Sequence, residues 1–142
     1  MLILLLISGG FSFAHAQSDG ASKPRFFEAK VRPSDAVTLK AGKSTIQLWG
    51  VDAIEGMPAK FNLNALAEIE RMLETNAVRC EFKGKTDNRV LAQCTNASQI
   101  DLGLHMLQQG YATVNRDVIY DTPFEQSYLN AEKDARLQNL GV

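Results

Sequence analysis

Three acidic side chains form the most suggestive cluster: Asp35 at the entry to the second expected strand, and Asp52 and Glu55 just after the third. Hard cations such as calcium take carboxylate and carbonyl oxygens, and two neighbouring strand ends can converge on one ion. The alternative is three solvated charges in surface turns, where carboxylates usually sit; the fold decides between them. Arg89, at the end of a polar turn, carries a guanidinium suited to a two-pronged grip on phosphate. Its other reading is a surface ion pair with Asp87 or Glu81, worth little. Other chemistries are poorly supplied. The 142 residues hold two histidines, His15 and His105, and two cysteines, Cys80 and Cys94. These are too few for the usual structural zinc sets and awkward for a Ser/His/Asp triad. With 15 Lys and Arg against 16 Asp and Glu, the net charge is −1, so bulk charge alone does not hold a nucleic acid.

The first seven residues, Met-Leu-Ile-Leu-Leu-Leu-Ile, are apolar, and Ala14-His15-Ala16 supplies the small-x-small pattern that signal peptidase reads. Residues 1–16 therefore read as a signal peptide cut between Ala16 and Gln17, although no Lys or Arg precedes the apolar run. The stretch is too short to span a bilayer as a ~20-residue helix, so no transmembrane span is expected once it is removed, and the expected location is periplasmic or secreted. Residues 17–23 are a polar linker, leaving 24–142 as one domain.

The elements that must position these groups follow from periodicity. Phe26 to Arg32, Ala36 to Leu39 and Thr45 to Val51 read as three strands. From Asn62 the period turns helical, with Leu66, Ile69, Met72 and Leu73 on one face. Val78 to Lys83 and Val90 to Cys94 read as a hairpin about Gly84 to Asn88. If the hairpin is symmetric about Asp87, Cys80 faces Cys94 and Phe82 faces Ala92. The cysteines are then placed for a disulfide; otherwise they are two small buried thiols. Ser98 with Asp101 is expected to cap a second helix ending at Gly110, and Thr122-Pro123-Phe124-Glu125 to cap a third that carries Phe124, Tyr128, Ala131 and Ala135 inward. The expected class is α+β, mainly β barrel: a five-stranded OB-fold in the order β-β-β-α-β-β-α-α. His105 reads as a helix-surface residue, and Trp49 either packs under a helix or stacks a base or sugar.

Ile46-Gln47-Leu48-Trp49-Gly50-Val51-Asp52-Ala53-Ile54-Glu55 resembles the I-R-L-x-G-I-D-A-P-E segment of the thermonuclease, or staphylococcal-nuclease-like, family. Thr86 to Ala92, Leu107 to Ala112 and Tyr128 to Arg136 resemble its D-x-Y-G-R-x-L-A, L-V-x-x-G-x-A and A-E-x-x-A-R segments. The resemblance implies a calcium-dependent phosphodiesterase on an OB-fold. Asp35 and Asp52, with the backbone carbonyl of Ala53, would be the calcium ligands. Glu55 would help activate water, and Arg89 would be the second of two phosphate-binding arginines.

The first arginine is replaced by Gln47, a neutral amide without a charged fork. Ser34-Asp35 keeps only the second aspartate of the family's D-G-D-T turn, Ile54 replaces a proline, and Asn88 directly precedes Arg89 in a shortened hairpin. Asn115 to Val118 replaces expected aromatic residues. An arginine of this kind is worth ~10³ to 10⁵ in rate in phosphoryl-transfer enzymes. The leading expectation is an exported thermonuclease-like protein with an incomplete catalytic set, weakly active or non-catalytic, serving as a binding or assembly module for a protein partner or, weakly, a nucleic acid. The alternative is an active calcium-dependent nuclease in which Arg32 or Lys43 substitutes for the lost arginine.

Overall fold

A computed structural model describes residues 23–141. The expected signal peptide, its cleavage position at Ala16 and Gln17, and residues 17–22 of the linker lie outside the described residues. No described helix is long and apolar enough to cross a membrane.

The chain runs β1 (Phe26–Lys30), β2 (Arg32–Asp35), β3 (Thr38–Ala41), β4 (Ser44–Leu48), β5 (Val51–Ala53), α1 (Ala59–Leu73), β6 (Ala77–Thr86), β7 (Arg89–Thr95), α2 (Leu102–Gln108), β8 (Ala112–Val114), α3 (Arg116–Ile119) and α4 (Glu125–Leu137). A six-stranded mixed sheet, in the order β1-β6-β7-β4-β3-β2, curls into a half-barrel, and β5 pairs with β8 beside it. Among the described strands only β4 and β7 pair in parallel. This is the α+β, OB-fold-like architecture expected from the sequence. All five expected strands are present, and two of them break. The first divides at Val31, which is buried and donates its N–H to Asn76. The third divides at Gly50, where φ is +81° and an added Cβ would stand 3.0 Å from the Tyr128 ring and 3.1 Å from Ile119. That corner needs glycine both for its left-handed backbone and for its lack of a side chain. The short elements β8 and α3 had too few residues to show a period.

Apolar residues at helical spacing explain α1, which buries Phe61, Ala65, Ile69, Met72 and Leu73. Asp101 caps α2 by accepting from the Leu104 N–H at 3.1 Å. Ser98, expected to share that role, instead donates its hydroxyl to Glu74 at the end of α1. Trp49 packs under α4, edge-on to Phe124 and Tyr128 at 5.8 and 6.1 Å between ring centres. The Tyr128 hydroxyl donates to Asp101 at 2.6 Å, and burial, reinforced by that carboxylate, pushes its pKa well above the usual phenol range. His105 is less exposed than a surface position would leave it, because its Nε2 meets Glu68 of α1 at 2.7 Å. The Glu68 carboxyl is held below its ordinary pKa chiefly by the hydrogen bond from Arg71, with His105 adding to it.

Cys80 and Cys94 form a disulfide across β6 and β7. The register is the expected one, Cys80 opposite Cys94 and Phe82 opposite Ala92, yet the turn is tighter than the sequence suggested. The strands continue to Thr86 and Arg89, and Asp87 takes a φ of +49°. A bulge between Phe82 and Gly84 absorbs the extra residue, so the outer register survives a shorter loop.

Glu132 of α4 is the one carboxylate in the buried set, 4% exposed. It accepts from the Val114 N–H of β8 at 2.6 Å and from Arg116 at 2.7 Å, with Arg136 at 3.2 Å. Both arginines are mostly solvated, so removing the carboxylate chiefly orphans one buried N–H. Glu132→Ala should therefore cost about 2 kcal/mol in urea unfolding and Glu132→Gln distinctly less. Equal losses in the two variants would mean that packing, not this hydrogen bond, ties α4 to the barrel.

Candidate functional site

The ends of β2, β4, β5, β7 and β8 surround one open, polar concavity lined by Asp35, Val37, Thr38, Gln47, Asp52, Ala53, Glu55, Arg89 and Thr113. Asp35, Gln47, Asp52, Ala53, Glu55 and Arg89, the residues that the family resemblance assigns to metal or phosphate chemistry, are all on this rim, whereas Arg32 and Lys43 are not. Topology explains the gathering. Strand β4 brings Gln47 opposite Thr38 of β3, whose neighbour across the next pair is Asp35. The Gly50 corner then turns the chain so that Asp52 and Ala53 pair with Thr113 and Ala112. Glu55 follows directly, and β7 enters alongside β4 with Arg89 opposite Thr45.

Gln47 lies on the outward side of β4, because Ile46 and Leu48 on either side are buried. Its Oε1 accepts from Arg89 Nη1 at 3.1 Å, and its Nε2 reaches the Val51 carbonyl at 3.5 Å. Arg89 therefore spends a donor on the neutral amide and on neither Asp87 nor Glu81. Lys83 takes Glu81 instead, at 3.4 Å. Asp35 also has local work: its Oδ1 accepts from the Val37 N–H at 2.8 Å, an Asx turn that shapes the β2–β3 connection. Asp52, Ala53 and Glu55 are exposed.

The acids share the rim without converging. Among the described residues no three His, Cys, Asp or Glu side chains stand close enough together to hold a metal ion. Calcium takes six to eight oxygens. Asp35, Asp52 and the Ala53 carbonyl would supply few of them, with one Asp35 oxygen already taken. The residues as arranged do not make a closed calcium site. Millimolar calcium should raise the melting temperature by at most a few degrees through mass action, and Asp52→Ala should remove the rise. Saturation at micromolar calcium would show that these loops rearrange around the ion.

Thr38 and Thr113 are rim residues that the sequence did not flag. The only trace of Thr113 was the three-residue alternation Ala112-Thr113-Val114, too short to read as a strand. Tyr120, the aromatic nearest the position where the family carries such residues, is 74% exposed and is not on the rim.

A half-barrel of this topology, with acids, an amide and an arginine at its strand ends, defines the nuclease-type OB-fold class. The family model for staphylococcal nuclease homologues matches residues 45–142, and the chain belongs to that family. No curated protein matches the chain.

Proposed function

We propose that this chain is an exported thermonuclease-like protein that is at most a weak nuclease and serves as a binding or assembly module in the periplasm or outside the cell. The observation that carries this reading is the Gln47–Arg89 hydrogen bond. At the place where the family uses an arginine, an amide brings no charge to a phosphoryl group and also occupies the arginine that remains. The open rim adds to this, because exposed charges act through high-dielectric surroundings and do little for a developing anion.

The rival reading needs Arg32 or Lys43 to replace the lost arginine. Arg32 opens β2 and Lys43 lies in the turn between β3 and β4. Neither lines the concavity, so no observation favours that reading. Purified mature protein, incubated with labelled single-stranded DNA and millimolar calcium, should leave the substrate intact over hours. Robust cleavage that is lost in Arg89→Ala would overturn the proposal. Export is tested by the N-terminus of the protein recovered outside the cytoplasm, which should begin at Gln17.

A further inference from the structure

Helix α1 carries a stripe on each side. The buried one, Phe61, Ala65, Ile69 and Met72, belongs to the core. On the opposite side Lys60, Leu63, Ala67 and Glu70 recur at spacings of three, four and three, and all of them are exposed, Leu63 at 65%. A single exposed leucine needs no explanation. One at the centre of such a stripe does, because this spacing is the one by which two helices set side chains into each other's gaps. The ends of the stripe carry opposite charges. Among the described residues neither Lys60 nor Glu70 forms an ion pair, whereas Glu68 and Arg71 of the same helix take each other.

We infer that the outward stripe of α1 is the seam of a weak symmetric dimer, and that what covers it is a second copy of this chain. When two copies of α1 lie antiparallel about a two-fold axis, Leu63 meets Ala67 of the partner subunit, Lys60 meets Glu70 of the partner subunit, and symmetry repeats both contacts. The stripe is its own complement: the branched Leu63 fills the gap beside the small Ala67, and each cation finds a carboxylate. A parallel pair would set Lys60 against the partner's Lys60 and Glu70 against the partner's Glu70, so charge fixes the direction. From Lys60 to Glu70 the seam runs about 15 Å. Contact along three helical turns covers less than the standard interface of about 1,600 Å², which places the dimer among weak, concentration-dependent associations. The inference concerns self-association and stands whether or not the chain cleaves.

The test is sedimentation velocity of the purified protein between about 10 μM and 1 mM, the range in which a weak dimer forms. The mean sedimentation coefficient of the wild type should rise with concentration. Lys60→Glu and Glu70→Lys each set like charges opposite one another at both ends of the seam, and each variant alone should associate about tenfold or more weakly. Mixed in equal amounts, the two variants should dimerise with each other, because every end contact is then again a cation against a carboxylate. The double variant Lys60→Glu/Glu70→Lys should dimerise by itself for the same reason. Leu63→Ser, which removes the apolar centre, should weaken association about a hundredfold or more. All these positions are exposed, so melting curves should match the wild type and confirm folding. A wild type that stays monomeric at the highest concentration would overturn the inference and leave the stripe to a helix of another protein. Single variants that associate like the wild type would overturn it too, and so would a mixture that associates no better than its components.

Discussion

Gln47→Arg should cut single-stranded DNA measurably in millimolar calcium, where the wild type is expected to leave it intact. The substitution does two things at once. It removes the Oε1 that Arg89 donates to at 3.1 Å, and it places a second guanidinium on the same outward side of β4. Like charges then separate unless an anion bridges them, which favours a phosphoryl group between the two forks. Since such an arginine is worth ~10³ to 10⁵ in rate, a partial return on the order of 10² is expected. Recovery falls short because Asn88 and the tight turn aim Arg89 from a shortened hairpin, and misplacement by about 1 Å can cost ~10²-fold. Adding Glu55→Gln should erase the gain, because the carboxylate would no longer take a proton from water. Initial rates on a labelled oligonucleotide decide it. An inactive Gln47→Arg variant would place the defect in the metal-binding rim or the hairpin and not in the missing arginine.

Reducing the Cys80–Cys94 disulfide should lower stability by about 3 kcal/mol, the loop-closure value for roughly 15 residues. For a domain of this size that corresponds to a fall in melting temperature of about 10 °C. The bond lies at the closed centre of the sheet, where both cysteines are fully buried and β6 and β7 make their longest pairing. Cys80→Ala/Cys94→Ala should melt near the reduced protein and be indifferent to reductant. Coincident melting curves for oxidised and reduced wild type would show that the hairpin already restrains the unfolded chain enough to make the bond redundant. Alkylation of the unreduced protein should find neither thiol free.

The elements with a period of their own were legible in the chain. Amphipathic spacing located α1 and α4, and alternation located the hairpin and the pairing of Cys80 with Cys94, although counting from the turn that forms would set Cys80 opposite Thr95 and it is the bulge between Phe82 and Gly84 that restores the expected register. The identities at the site were legible too, since Gln47 is an amide in any fold. Tertiary structure decided the rest, for reasons of distance. That Asp35, Asp52, Glu55 and Arg89 share a rim depends on the Gly50 corner and on β4 running parallel to β7, a pairing between segments some forty residues apart that no local pattern specifies. Whether the acids converge on an ion is a matter of ångströms, and they do not. The hydrogen bond of Arg89 to Gln47 and the burial of Glu132 beneath two arginines join residues distant in sequence. Composition averages such residues into a net charge of −1; strand register decides which of them meet, because side chains that face one another across a sheet are chosen by backbone hydrogen bonding and not by their neighbours in the chain.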